Sequence, residues 1–245
     1  TDDFLDFGRA VGMLSCRLKD IKPSLEPIYR ACYELALPDV EEVRRTLMVP
    51  CLEPSSGLAD LAEDLNKVAQ DLAELHALLP TLEALPHQLI HGDLNASNVL
   101  AGADNRIVAL LDFEFVAWDL RVMELAVGLS EAMPEDMAVL EAAPGSEPVP
   151  EDRLVAEAVP VSDAMSATNG RPDAEHWDNM AALIRGFTEI VQLDPLEAEL
   201  LPILVQLRKV DVFLHFLHRW QDGVDSLETV RRFLRMAGTR HDWVK

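Results

Sequence analysis

The chain has 245 residues, 49% of them hydrophobic and 26% charged, enough apolar material for one large core or two small ones, which excludes a wholly disordered chain. Its 21 Lys and Arg stand against 43 Asp and Glu, a formal charge of −22 that repels phosphate backbones and anionic headgroups and so disfavours nucleic-acid polymers and membranes as partners. A nucleotide stays admissible, because salt screens the net field beyond about 10 Å and a metal ion or backbone donors can offset it locally.

Cys16, Cys32 and Cys51 are odd in number and form no C-x-x-C pair, so they read as reduced, buried thiols rather than a zinc site or a disulfide framework. No basic leader precedes an apolar run, and no apolar stretch approaches the roughly 18 residues needed to span a bilayer, so a cytoplasmic protein is expected. The sequence opens at Thr1 without a Met and already inside an amphipathic pattern, which reads as a processed or truncated start.

In chain order, Phe4, Phe7, Val11, Leu14 and Leu18 recur at three and four, a helical face that Pro23 ends. Leu25 to Leu37 is a second helical candidate, and Pro38-Asp39 starts a third over Val40 to Met48, before Pro50 and Pro54 mark a loop. Leu58, Leu61, Leu65, Val68, Leu72, Leu75 and Leu79 predict a long core helix over Gly57 to Leu79. After Pro80 and Pro86 the period changes, with a short strand at Gln88-Leu89-Ile90. Asn98-Val99-Leu100, a turn over Ala101 to Asn105, and a buried strand over Arg106 to Leu111 then make a hairpin. Helical spacing resumes from Leu120 to Ser130. Residues 141–175, rich in Pro, Gly, Ala, Glu and Ser, read as a flexible insertion. Helices return over Trp177 to Leu193, Pro195 to Trp220 and Ser226 to Met236.

The chemistry concentrates at His91-Gly92-Asp93-Leu94-Asn95-Ala96-Ser97-Asn98 and, fourteen residues past Asn98, at Asp112-Phe113-Glu114. An Asp in a tight loop can accept a hydrogen bond from an acceptor hydroxyl and align it for in-line attack on a γ-phosphoryl group. A hairpin returns the chain antiparallel, which brings Asn98 and Asp112 together. One supplies a neutral oxygen and the other a charged one, both hard ligands of the kind Mg2+ takes beside phosphate oxygens. Asp93 is therefore the candidate catalytic residue, and Asn98 and Asp112 the candidate metal ligands. His91, at a strand-to-loop junction, is expected to pack and fix the loop. Glu114 and Asp119 are placed either against an amine or hydroxyl of the acceptor or in solvent. His215 and His218 lie one helical turn apart with no third ligand spaced to join them, so they read as part of a packed helix.

The stretch stands in the protein-kinase-like register H-x-D-L-x-x-x-N followed by D-F-x, and it resembles the catalytic loop of aminoglycoside phosphotransferases, choline kinases and related small-molecule kinases. The resemblance implies a mainly helical α+β fold, the C-terminal lobe of a protein-kinase-like enzyme with a small catalytic hairpin. It also implies ATP and Mg2+ as cofactors, and Leu100 and Leu111 as residues flooring an adenine pocket. Glu124-Leu125-Ala126 stands where the family carries an Asp-Leu-Ala helix start, its carboxylate one methylene longer. Phe113-Glu114-Phe115-Val116-Ala117-Trp118-Asp119 is similar to the homoserine-kinase branch, implying a small amino or hydroxy compound as acceptor.

Asn95 and Glu114 depart from the Lys and Gly of protein kinases and are similar to the small-molecule branch. No G-x-G-x-x-G loop and no strand Lys precede Asp93, so residues 1–245 resemble a C-terminal lobe alone, with an N-terminal lobe absent. The expected function is ATP-dependent phosphoryl transfer to a hydroxyl of a small molecule such as homoserine, an amino alcohol or an aminoglycoside. The truncated chain is expected to be weakly active alone. The alternatives are a catalytically inactive interaction module using the acidic insertion and, ranked last, a metal-dependent phosphate-ester hydrolase.

Overall fold

The computed structural model describes residues 2–24, 31–36, 39–102, 106–131, 159–160 and 172–239. The fold is mainly helical with short strands, and the chain divides into two compact units, residues 1–29 with 88–194 and residues 30–87 with 195–245.

The first unit is built on α1 (Asp2–Leu18) and α7 (Pro172–Thr188). Phe7, Val11 and Leu18 of α1 are buried at the predicted spacing, and Met180, Leu183 and Phe187 of α7 are buried likewise. The two helices cross at glycines. A Cβ on Gly8 would stand 2.1 Å from the Leu183 carbonyl oxygen, and one on Gly186 would stand 2.1 Å from the Leu5 carbonyl oxygen, so the backbones meet where no side chain fits. Both helices also pack on α6 (Met123–Glu131), an apolar helix whose Met123, Leu125, Ala126, Val127 and Leu129 are all buried.

The strands of this unit are short. β1 (His87–Ile90) pairs with β4 (Ala117–Leu120), while β2 (Val99–Ala101) pairs antiparallel with β3 (Ile107–Leu110), Val99 opposite Leu110 and Leu100 opposite Ala109. The other edge of β2 carries β5 (Val159–Pro160), also antiparallel. A proline fits there because an edge strand can spare an N–H.

The second unit gathers α2 (Cys32–Ala36), α3 (Val40–Val43), α4 (Ala62–Ala77), α5 (Leu79–Glu83), α8 (Pro195–Gln221) and α9 (Leu227–Gly238). Leu65, Val68, Leu72 and Leu75 of α4 are buried as their spacing requires, and α8 buries Leu204, Leu207, Val210, Phe213 and Leu217. Ser226 caps α9 by accepting the Thr229 N–H at 3.1 Å, and Arg231 of α9 forms a two-pronged pair with Asp60 at 2.7 and 2.6 Å. Inside, the Gln206 amide donates to the Asp71 carboxylate and to the Ala237 carbonyl, both at 2.6 Å, so this buried polar group is satisfied rather than merely enclosed.

Several expectations are corrected. The segment after Val43 does not continue as an α-helix to Met48: it widens to a π turn over Arg44–Met48 and tightens to 3-10 over Val49–Leu52. Pro50 has no N–H to continue the regular ladder. The long helix begins with a 3-10 turn at Ala59–Leu61 and stops at Ala77, and Pro80 opens α5 instead of leading straight to a strand, since its fixed φ suits a first helical turn. The helix expected from Leu120 begins only at Met123, and Leu120 instead ends a strand, Ala117–Leu120, in which Ala117 and Asp119 are buried and Trp118 is exposed. The expected buried strand before Asp112 is not buried: Val108 is 59% and Leu111 40% exposed, because β3 is an edge strand paired with β2 alone. The helix expected from Trp177 starts at Pro172 and ends at Thr188.

Cys16, Cys32 and Cys51 are free thiols, Cys32 and Cys51 buried and Cys16 half-buried. The first part of the Leu25 to Leu37 candidate lies outside the described residues. So does the 141–175 insertion, except for β5 and the start of α7.

The α1–α7 crossing gives a direct test. Gly8→Ala should cost about 2–3 kcal/mol through overpacking against the Leu183 carbonyl, whereas Gly223→Ala, where a Cβ meets nothing within 4 Å and only the left-handed φ of +76° resists, should cost about 1 kcal/mol. Urea denaturation of the two variants measures the difference; equal losses would show that the helices can part to admit a methyl group.

Candidate active site

β1 delivers the chain to His91, which is fully buried. Its Nε2–H donates to the Leu111 carbonyl at 2.9 Å and its Nδ1 accepts the Asp93 N–H at 3.4 Å, so each ring nitrogen has its own partner and the ring serves as a neutral imidazole. Burial pushes its pKa below the usual histidine value, against the pull of the Leu111 carbonyl, Asp93 and Asp112. The ring also meets Phe113, centroids 4.5 Å apart. His91 thus holds the loop, as expected, and offers no proton at neutral pH.

Gly92 turns the chain with φ +79°, and a Cβ there would come within 2.6 Å of the Phe115 carbonyl oxygen. Glycine is required on both counts, by the left-handed backbone and by the close passage of the Asp112–Phe115 segment.

Asp93 follows, held by two amides. Asn98 Nδ2 donates to the Asp93 carbonyl at 2.8 Å and to its Oδ2 at 3.0 Å, and Asn95 Nδ2 reaches the same Oδ2 at 3.3 Å. Asn95 in turn caps the 3-10 turn Ala96–Asn98, its Oδ1 accepting the N–H of Ser97 at 2.9 Å and of Asn98 at 3.3 Å. The loop is therefore fixed by its own side chains, at the spacing the sequence shows.

The hairpin closes on the same point. The Leu111 N–H donates to the Asn98 carbonyl at 2.8 Å, which puts Asp112 one residue from the backbone of Asn98. Asp112 adopts φ 61°, a left-handed backbone that is uncommon outside glycine and that Asp tolerates, and its Oδ1 accepts the Glu114 N–H at 3.3 Å. Asn98 bonds Asp93 directly and the hairpin bond draws Leu111 to Asn98, with Asn98 buried and Asp112 exposed.

The donor set fits a hard divalent cation that brings its own phosphate oxygens. With both Asn98 amide donors directed at Asp93 oxygens, the side-chain atom left over is Oδ1, an acceptor, and the exposed Asp112 follows directly on the Leu111 that binds the Asn98 carbonyl. Among the described residues no group of three or more His, Cys, Asp and Glu could hold a metal ion. His215 lies edge-on to Phe216, and His218 faces Asp222 at 3.9 Å.

Leu100 is half-buried and Leu111 exposed. Glu114 is exposed, whereas Asp119 is only 2% exposed and its Oδ1 accepts the Leu120 N–H at 2.6 Å, so the solvated reading fails for Asp119.

Two residues contribute more than spacing alone conveyed. Asn95, noted for what it replaces, is the cap that orients both Asn98 and Asp93. Glu124, noted for its place at a helix start, is fully buried and accepts the His91 N–H at 2.7 Å, with the Gly92 N–H also bound to its carboxyl. A capping-type signal before a short turn could have marked the first. Nothing local marks the second, because its partner lies 33 residues away.

Residues 6–148 match the model of the phosphotransferase enzyme family, of aminoglycoside phosphotransferase type, and the chain belongs to that family. Solved structures share the fold. Amicoumacin kinase hAmiN in complex with AMP-PNP, Ca2+ and Ami aligns with a TM-score of 0.56 at 14% identity, over 96% of this chain and 58% of that one. Choline kinase LicA from Streptococcus pneumoniae aligns with a TM-score of 0.50 at 13% identity, over 96% of this chain and 63% of that one. The chain therefore spans about three fifths of the length of these structures. A search of curated proteins finds no significant match. Among the described residues no helix is long and apolar enough to cross a membrane.

Replacing the ring tests the site's architecture. His91→Leu strips partners from the Leu111 carbonyl and the Asp93 N–H and should cost about 2–4 kcal/mol in urea denaturation. A loss below about 0.5 kcal/mol would mean that neither bond anchors the loop.

Proposed function

We propose that the chain carries the catalytic half of an ATP-dependent kinase that transfers the γ-phosphoryl group to a hydroxyl of a small molecule. The observation that carries this reading is the Asp93 carboxylate gripped by the amides of Asn98 and Asn95, with Asp112 brought alongside by the Leu111–Asn98 backbone bond. Family membership supports it, as does the likeness in fold to two small-molecule kinases.

In this reading Asp93 accepts a hydrogen bond from the acceptor hydroxyl and aligns its oxygen for in-line attack, and takes up the proton as transfer completes. The loose transition state of phosphoryl transfer needs positioning more than it needs a strong base. Asn98 and Asp93 move as one piece because the Asn98 amide bonds both the backbone and the side chain of Asp93. Asn98 Oδ1 and the Asp112 carboxylate are the groups to hold Mg2+, which when bound neutralises charge on the phosphate oxygens. Leu100 and Leu111, half-buried and exposed on the hairpin, supply apolar surface for the adenine ring.

The acceptor belongs to the amine-bearing hydroxy compounds: homoserine, an amino alcohol or an aminoglycoside. The chain's net charge of −22 and the exposed carboxylates of Asp112 and Glu114 beside the loop favour a cationic acceptor. Residues 1–245 contain no G-x-G-x-x-G loop ahead of Asp93 to clamp phosphates, so turnover by this chain alone should be slow. A cytoplasmic enzyme, with ATP as its phosphoryl donor, is the setting that goes with this reading.

Isothermal calorimetry should show ATP binding that requires Mg2+, and a coupled assay over homoserine, choline, other amino alcohols and aminoglycosides should find an acceptor. Asp93→Ala should lower kcat by at least about 10³-fold with ATP affinity little changed, while Asn98→Ala and Asp112→Ala should raise the Mg2+ concentration needed for half-maximal binding about tenfold or more. A fully active Asp93→Ala protein, or ATP binding indifferent to Mg2+, would refute the assignment.

A further inference from the structure

The Glu124 carboxyl lies fully buried beneath the turn that leads into Asp93. Oε2 accepts the His91 N–H at 2.7 Å, the Gly92 N–H binds the same carboxyl, and Oε1 is buried with no hydrogen-bond partner. A bare carboxylate enclosed with one oxygen unsatisfied is costly, and the cost falls steeply if that oxygen carries a proton.

The surroundings add to the cost. The charged group acting on Glu124 is the carboxyl of Asp119 on β4, only 2% exposed, and two neighbouring buried carboxyls hold one negative charge more readily than two. From α1 and α7, Phe7 and Leu183 are the side chains turned to α6 at Gly128, both apolar. His91 reaches Glu124 through its backbone N–H, its ring being committed to the Leu111 carbonyl and the Asp93 N–H.

We infer that Glu124 is a positioning residue that holds the turn before Asp93 as a neutral carboxylic acid, its proton on Oε1, and that ionisation of this acid loosens the turn. The consequence for phosphoryl transfer rests on the function proposed above; the protonation state and the ordering of the turn do not.

Burial pushes the Glu124 carboxyl up to about 7 from its ordinary 4.5, outweighing the two N–H bonds that act in the opposite direction. A folded-state value above the unfolded one means that the folded chain binds the extra proton between the two. Glu124 therefore contributes stability that is complete below the unfolded value and lost as pH rises through about 7. The same linkage governs a local opening that admits water to the carboxyl, so the charged form favours the open turn.

The test follows glutamate carboxyl 13C shifts and the His91 and Gly92 amide shifts in the full chain across neutral pH. One glutamate carboxyl should titrate near neutrality, and both amides should shift with the same midpoint and exchange faster above it. In Glu124→Gln, a neutral side chain of the same shape, the amides should neither titrate nor lose protection. A midpoint in the ordinary carboxylate range, or amide titration that persists in Glu124→Gln, overturns the inference. Should Glu124→Gln fail to fold, the carboxyl titration of the unsubstituted chain decides alone.

In turnover, kcat should fall about tenfold per pH unit above neutrality with KM for ATP unchanged, and Glu124→Gln should flatten that limb. A flat profile in the unsubstituted chain overturns the positioning role. Titrating amides without any turnover would count against the proposed function and leave the protonation of Glu124 standing.

Discussion

A single buried imidazole holds the candidate site together. His91 sits at the end of β1, yet its ring bonds the carbonyl of Leu111 and the N–H of Asp93, and its own backbone N–H is taken by Glu124. Three stretches distant in sequence meet there: the ring takes the Leu111 carbonyl and the Asp93 N–H, and the Glu124 carboxyl takes the buried His91 N–H. Unpaired, each such group would cost about 1–3 kcal/mol, so the loop, the hairpin end and the helix start are stable together or not at all. The ring can serve two bonds of opposite sense only when neutral, and its burial secures that form.

Around this point the local chemistry is self-contained. Asn95 caps a three-residue 3-10 turn, the turn presents Asn98, and Asn98 fixes both the backbone and the carboxylate of Asp93. Gly92 and Asp112 both take left-handed backbone, and the Phe115 carbonyl passes so close to Gly92 that a methyl group has no place. Such strain persists where surrounding bonds over-determine it, and here His91, Asn98 and Glu114 do so. Farther out, the glycine crossing of α1 and α7 brings two backbones into contact, and α6, packed on both, carries Glu124.

The reading of a phosphotransferase loop came from residue types at fixed offsets, and those offsets survive folding because the segment is short and caps itself. The long helices were legible for a similar reason: Leu65, Val68, Leu72 and Leu75 repeat at the helical period, and burial follows the period. Misreadings arose where pattern is weak. Ala117 to Leu120 buries an aspartate on its inner face and exposes a tryptophan, the reverse of the usual code, so it did not read as a strand. Ile107 to Leu110 is apolar enough to look buried, but its place at a sheet edge leaves Val108 in solvent.

The sequence alone determined residue types at local offsets: Asp93, proposed for the acceptor, Asn98 and Asp112, proposed for a cation, glycine at 92, and helices wherever apolar residues recur at three and four. Those are local properties, written within a few residues. Tertiary structure decided which groups are charged and which are held. Glu124 looks from its neighbours like any acidic residue in a first helical turn, and only its enclosure under the His91–Gly92 turn removes it from water. Burial and long-range pairing depend on residues far along the chain, and so does the free energy of charging a carboxyl, which no local spacing encodes.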